Sequence, residues 1–222
     1  MTEHQQSTTA TPAADPAATQ RELASRTTEH GEANVQTLTQ TYATTPEDLW
    51  DALTNPERLP RWFAPVSGDL RLGGQYQVEG NAGGTIETCE PPRSFSATWE
   101  FGGNTSWIAV RITPDGDGAR FELEHTALVP EDTSFWDEYG PGATGVGWDL
   151  AFMGLAKHLA TGASITGDHA QGWETTPEGL AFISECSRQW AEANVRFGTP
   201  REAAEAARDR TTAFYTGQSP QN

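Results

Sequence analysis

Between residues 66 and 129 the chain alternates apolar and polar side chains through one segment after another: Leu70/Leu72, Tyr76/Val78, Phe95/Ala97/Trp99/Phe101, Ile108/Val110/Ile112 and Phe121/Leu123. A period of two with one polar face describes antiparallel strands that are buried on one side only. Glycine and proline turns at Gly73-Gly74, Gly80 to Gly84, Pro91-Pro92, Gly102-Gly103 and Asp115 to Gly118 divide the run into a meander of six strands. Asn34 to Thr44, carrying Val35, Thr37, Thr39, Thr41 and Tyr42, reads as a strand ahead of them, which makes a seven-stranded sheet. One face of such a sheet is apolar and needs a cover. Trp148, Phe152, Leu155 and Leu159 supply it, since they recur at helical spacing after Pro130. The fold class expected is α+β, a curved antiparallel sheet gripping one long helix.

The remaining elements have local signals. Thr45-Pro46-Glu47-Asp48 combines an N-cap threonine, proline at the first helical position and acids that complement the helix dipole. Leu49, Trp50 and Leu53 form the apolar stripe of that short helix, and a second short helix is expected from Asn55-Pro56 to Trp62-Phe63. Thr176-Pro177-Glu178 opens another helix, carrying Leu180, Ile183, Trp190 and Phe197. Thr199-Pro200-Arg201-Glu202 opens an alanine-rich one reaching Tyr215. Residues 175–216 therefore read as a two-helix appendage. A lone helix pair is marginal in water, so it is expected to pack on the main domain, with Trp107 as a contact, or on a second subunit of a homodimer.

Composition sets the boundaries. Residues 1–33 hold no aromatic side chain, and their apolar content is Met1, Leu23 and scattered alanines. They read as a disordered tail, dispensable for stability. The expected organisation is 1–33 tail, 34–161 sheet-and-helix domain and 162–222 helical extension. About 190 residues remain beyond the tail, enough to bury a substantial core.

Acidic residues number 31 against 14 basic, a net charge of −17. Counterion release cannot drive nucleic-acid binding on such a surface, and anionic lipid would repel it. With two cysteines, Cys89 and Cys186, no disulfide framework is expected. No signal peptide and no membrane-spanning window is read, so the expected location is the cytoplasm.

Several motifs invite a functional reading. Gly140-x-Gly142-x-x-Gly145 has the dinucleotide-binding spacing, but no apolar strand precedes it, and Asp168 lies in a Gly/His loop; a flexible loop before the cover helix fits better. Asp115-Gly116-Asp117-Gly118 resembles a calcium loop, yet Thr126 stands where the bidentate glutamate belongs, so it reads as a hairpin turn. Among the histidines, His4, His30, His158 and His169 form no pair with metal-ligand spacing, and no metal or cofactor is expected. His125 continues the parity of Phe121 and Leu123 and points inward, as a core histidine, a hook for a ligand or a general base. Asp149, beside the helix stripe, reads as a solvated residue at the mouth. Trp62, Phe63, Tyr76, Trp99, Phe121 and Phe152 converge on the space between sheet and cover helix, together with Trp148. Sheets that grip a helix tend to leave a cavity lined by such residues.

The run Pro46-Glu47-Asp48-Leu49-Trp50-Asp51-Ala52-Leu53-Thr54-Asn55-Pro56-Glu57, followed by Arg61-Trp62-Phe63, resembles the activator-of-heat-shock-protein-90-ATPase-like branch of the START/Bet v 1-like (SRPBCC) superfamily. Gly74-Gln75-Tyr76, Glu90-Pro91-Pro92, the Phe121-x-Leu123-x-His125 ending and Gly147-Trp148-Asp149 extend the resemblance across residues 34–161. The appendage resembles an extension of actinobacterial members. The resemblance implies a helix-grip fold with a deep apolar cavity and no shared catalytic constellation; members bind lipids, hormones or polyketides, and a few are cyclases or aromatases. Many relatives carry arginine in the first strand where this chain has Gln40. Chaperone activation does not carry over, because residues 1–33 are no substitute for the additional N-terminal domain of the eukaryotic co-chaperones. The expected function is non-catalytic binding of a small hydrophobic, aromatic or lipid-like molecule, touching Trp62, Phe63, Tyr76, Trp99, Phe121, His125, Trp148 and Phe152. A cyclase-like enzyme using His125, and a stress-related protein-interaction module, are the alternatives.

Overall fold

The computed structural model describes residues 15–166 and 172–218. Residues 1–14, and with them His4, lie outside that range, as do Asp168 and His169. One antiparallel sheet dominates. In chain order its strands are β1 (Gln20–Thr28), β2 (Gly31–Tyr42), β3 (Val66–Gly68), β4 (Gln75–Val78), β5 (Gly83–Glu90), β6 (Ser94–Phe101), β7 (Asn104–Asp115) and β8 (Gly118–Leu128). They lie in the order β1-β2-β8-β7-β6-β5-β4-β3, so β2 closes the meander from its last strand.

The sheet has eight strands where seven were expected, because part of the expected tail is a strand. Residues 20–28 pair with 31–39 of β2 in a hairpin, from Gln20↔Thr39 to Thr28↔Gly31. The reading of residues 1–33 as disordered therefore fails over this stretch. The reason is positional. β1 is an edge strand with few inward apolar side chains, chiefly Leu23, and its deeply buried residue is an arginine, Arg21, 5% exposed. A strand of that kind looks like polar coil in a hydropathy pattern.

Register sets the interior. Leu38 faces Leu123, which faces Val110; one row along, Gln36 faces His125, which faces Ile108. Over this face lies α3 (Gly142–Thr161), with Phe152 and Leu155 fully buried. The short helix α1 (Pro46–Thr54) begins as its sequence requires: Thr45 Oγ1 accepts from the Asp48 amide at 3.2 Å. The second short helix contracts to a 3-10 turn at Leu59–Arg61. Helix α2 (Ser134–Tyr139) precedes α3, and α4 (Pro177–Phe197) and α5 (Arg201–Thr216) form the appendage.

That appendage packs on the main domain. Trp190 of α4 is fully buried against α3 within the one chain, so covering it needs no second subunit. Trp107 does not take part; it stacks on His30 at 5.0 Å on the outer sheet face. The glycine motif serves this packing. Gly140 ends α2 at φ +59°, and a Cβ at Gly145 would lie 2.3 Å from Cε2 of Trp190. Gly142 and Gly145 lie in the first turn of α3, not in a flexible loop. Asp115 and Gly118 close the β7–β8 hairpin, as the turn reading expected.

Candidate functional site

The apolar side chains of α1 meet those of the far strands only in part. Between them lies a cavity of about 310 Å³, partly open to solvent. Trp50 and Leu53 of α1 and Leu59 and Phe63 after it form one wall. Tyr76, Ile86, Phe95, Ala97, Trp99 and Ile108 form the sheet wall. This placement follows from topology. α3 covers the far strands β3 to β6 only in part, and α1 with its following turn covers the remainder incompletely. The aromatics are oriented against one another: Trp50 meets Phe95 edge-on at 6.1 Å, and Tyr76 lies 6.5 Å from Trp99.

Polar groups in the lining are used within the protein. Tyr76 Oη donates to the Thr98 carbonyl at 2.6 Å, and Thr54 Oγ1 donates to the Trp50 carbonyl at 2.7 Å. Burial pushes the Tyr76 phenol well above its ordinary pKa, with the Glu100 charge adding to the effect, so it stays protonated. No charged side chain is among the described lining residues, and Cys89 contributes a half-buried thiol.

The eight residues singled out in the sequence separate. Phe63, Tyr76 and Trp99 line the cavity; Phe121, His125, Trp148, Phe152 and Trp62 do not. Phe121 and Phe152 stack at 4.6 Å, filling the space between sheet and α3. Trp148 packs between Trp99, at 5.0 Å, and His125, at 5.7 Å. Trp62 is anchored through Nε1–H to the Ala52 carbonyl at 3.0 Å and faces a second cleft over α3.

His125 is held by its neighbours. Trp148 Nε1 donates to its Nδ1 at 3.3 Å, which assigns the proton to Nε2; that nitrogen meets Ser106 Oγ at 2.9 Å, and Ser106 donates to the Trp99 carbonyl. Both ring nitrogens are satisfied, and burial pushes the pKa down to about 4. This is the bonding of a core histidine.

Asp149 is not solvated at the mouth. It is 1% exposed and takes a salt bridge from Arg21 of β1, whose Nη2 is 2.8 Å away, while Trp190 Nε1 donates to its other oxygen at 2.9 Å. Burial pushes the carboxyl above its ordinary pKa, and the Arg21 and Trp190 contacts oppose that push. Arg21 also donates to the Thr19 carbonyl at 2.7 Å and to Gln189 of α4. Gln40 of β2 accepts from Thr19 Oγ1 at 2.8 Å. The buried guanidinium of this part of the sheet comes from β1.

A curved antiparallel sheet folded about one long helix, with an apolar cavity beside that helix, defines a ligand-binding fold of the helix-grip, SRPBCC type. Residues 43–160 match the family described as activator of Hsp90 ATPase homolog 1-like protein, and the chain belongs to that family. Among solved structures, the crystal structure of CalU16 from Micromonospora echinospora is 33% identical with a TM-score of 0.62, over 79% of this chain and 98% of that one. Its solution structure gives 34% identity and a TM-score of 0.66, over 82% and 97%. DynU16, from the dynemicin biosynthetic locus, shares the fold at 18% identity and a TM-score of 0.51, over 60% of this chain and 49% of that one. No curated protein matches the chain. Among the described residues no helix is long and apolar enough to cross a membrane.

Proposed function

We propose that this protein binds a small, neutral, apolar molecule, aromatic or lipid-like, in the cavity between α1 and strands β4 to β7, without transforming it. The observation that carries this reading is the lining itself: aromatic and aliphatic walls, no charge, and hydroxyls already bonded to backbone carbonyls. A charged ligand entering such a space would lose its hydration and find no partner. An aromatic ligand would gain from offset or edge contacts with Trp50, Phe95 and Trp99. The cyclase-like alternative needs two polar groups converging on one substrate atom. His125, its expected base, has both nitrogens engaged and lies behind Trp148.

The test is titration with the neutral fluorophore N-phenyl-1-naphthylamine. Saturable one-to-one binding is expected. Ala97→Phe, which fills the cavity from the sheet wall, should weaken it about tenfold or more. Trp99→Ala should weaken it too, whereas His125→Gln should leave it within about threefold. Absence of saturable binding, or equal binding in the filled variant, refutes the reading. Native mass spectrometry of the protein purified from its own host then identifies the natural ligand.

A further inference from the structure

Phe63 alone among the described residues lines both the inner cavity and a second cleft, of about 470 Å³. The floor of that cleft is apolar, built by Leu150, Ala151 and Met153 on the flank of α3. Its far end is polar, with Lys157 and Glu174. Lys157 brings no surplus charge, because its ammonium pairs with Glu178 at 3.3 Å and rests over the Trp173 ring at 5.1 Å.

The backbone leading to Phe63 is pinned. The Ile165 amide donates to the Arg61 carbonyl at 2.8 Å, and the Trp62 carbonyl sits so close to Gly154 that a Cβ there would be 2.6 Å away. Trp62 is fixed by its ring nitrogen as well. The Phe63 ring is held by packing alone, half-buried, 5.5 Å from the Trp62 ring.

We propose that Phe63 is a specificity-determining partition: its ring divides one elongated apolar tunnel into two compartments and sets the length of molecule the protein accepts. The proposal rests on the cavity reading above. With the ring in place the inner compartment holds a compact neutral molecule. With the ring removed, a neutral rod spans both compartments and runs along the α3 flank past Leu150.

Two neutral probes test this on the full chain: compact N-phenyl-1-naphthylamine and rod-shaped 1,6-diphenyl-1,3,5-hexatriene. Phe63→Ala should tighten binding of the rod about tenfold or more, while the compact probe, which loses part of one wall of its compartment, should bind less tightly. Adding Leu150→Phe, which fills the outer cleft, should cancel the gain for the rod. If Phe63→Ala lacks a cooperative melt, Phe63→Leu carries the comparison, with a gain of about threefold expected. An unchanged rod affinity, or a gain that survives Leu150→Phe, overturns the partition and leaves the cavity reading standing. Failure of the compact probe to bind the unmodified protein overturns both.

Discussion

His125 is buried against the Trp148 ring and Ser106 at a point where a positive charge has no counter-ion, and its protonation state bears on stability. The unfolded chain takes up a proton near the ordinary histidine pKa of about 6.5, while the folded protein holds the ring neutral down to about 4. As pH falls through that window the unfolded state gains a proton that the native state does not. Stability at pH 4 should thus be lower than at pH 7 by about 3 kcal/mol from this group. Urea midpoints measured across that range check it: His125→Gln should flatten the slope, and a slope identical to that of the unmodified protein would count against a neutral buried ring. Asp149 makes a stronger case. Removing its carboxylate by Asp149→Ala leaves the Arg21 guanidinium buried and unpaired, a loss of about 3–5 kcal/mol. The double variant Arg21→Met/Asp149→Leu, which removes both charges, should recover much of that loss. If the double variant is as unstable as the single one, the ion pair is not what makes the site sensitive.

At the scale of elements, the same ion pair ties three segments together that the sequence suggests are separate: β1, the cover helix α3 and the appendage helix α4. Deleting residues 1–28 removes Arg21 and an edge strand, and should lower the melting temperature by about 10 °C or more. A change of only a degree or two would restore the reading of a dispensable tail. Gly145→Ala tests the other joint. Its methyl group would meet the Trp190 ring, which is fully buried, so the ring or the helix must shift, at a loss of about 1–3 kcal/mol by thermal melt. These elements differ in how visible they were. The meander, α1 and α3 were legible because each buries one face repeatedly, which leaves a period of two or of 3.6 in the chain. β1 left no such period, since its buried position carries Arg21. Asp149 resembled a solvated carboxylate because its partners lie 128 residues before it and 41 after it, and spacing along the chain carries no trace of either. Parity correctly turned Phe121, His125 and Phe152 inward. What parity cannot say is whether inward side chains meet or leave a gap, and here they meet.

For the whole molecule, the consequence is that the void lies to one side of the gripped helix. The centre is filled by the Phe121–Phe152 stack and by Trp148, while the cavity sits under α1 against the far strands. The sheet extends farther than one helix covers, and the short α1 with its 3-10 turn bridges the remainder incompletely. The five isoleucines of the chain report on this arrangement. Ile86 and Ile108 line the cavity, Ile165 borders the outer cleft, and Ile112 and Ile183 are buried in the packed core. Methyl NMR of isoleucine-labelled protein titrated with N-phenyl-1-naphthylamine therefore locates the ligand. Saturable shifts are expected at Ile86 and Ile108, with Ile112 and Ile183 unmoved. Shifts centred on Ile112, beside the Phe121 strand position, or no saturable shift at Ile86 and Ile108, would contradict this placement.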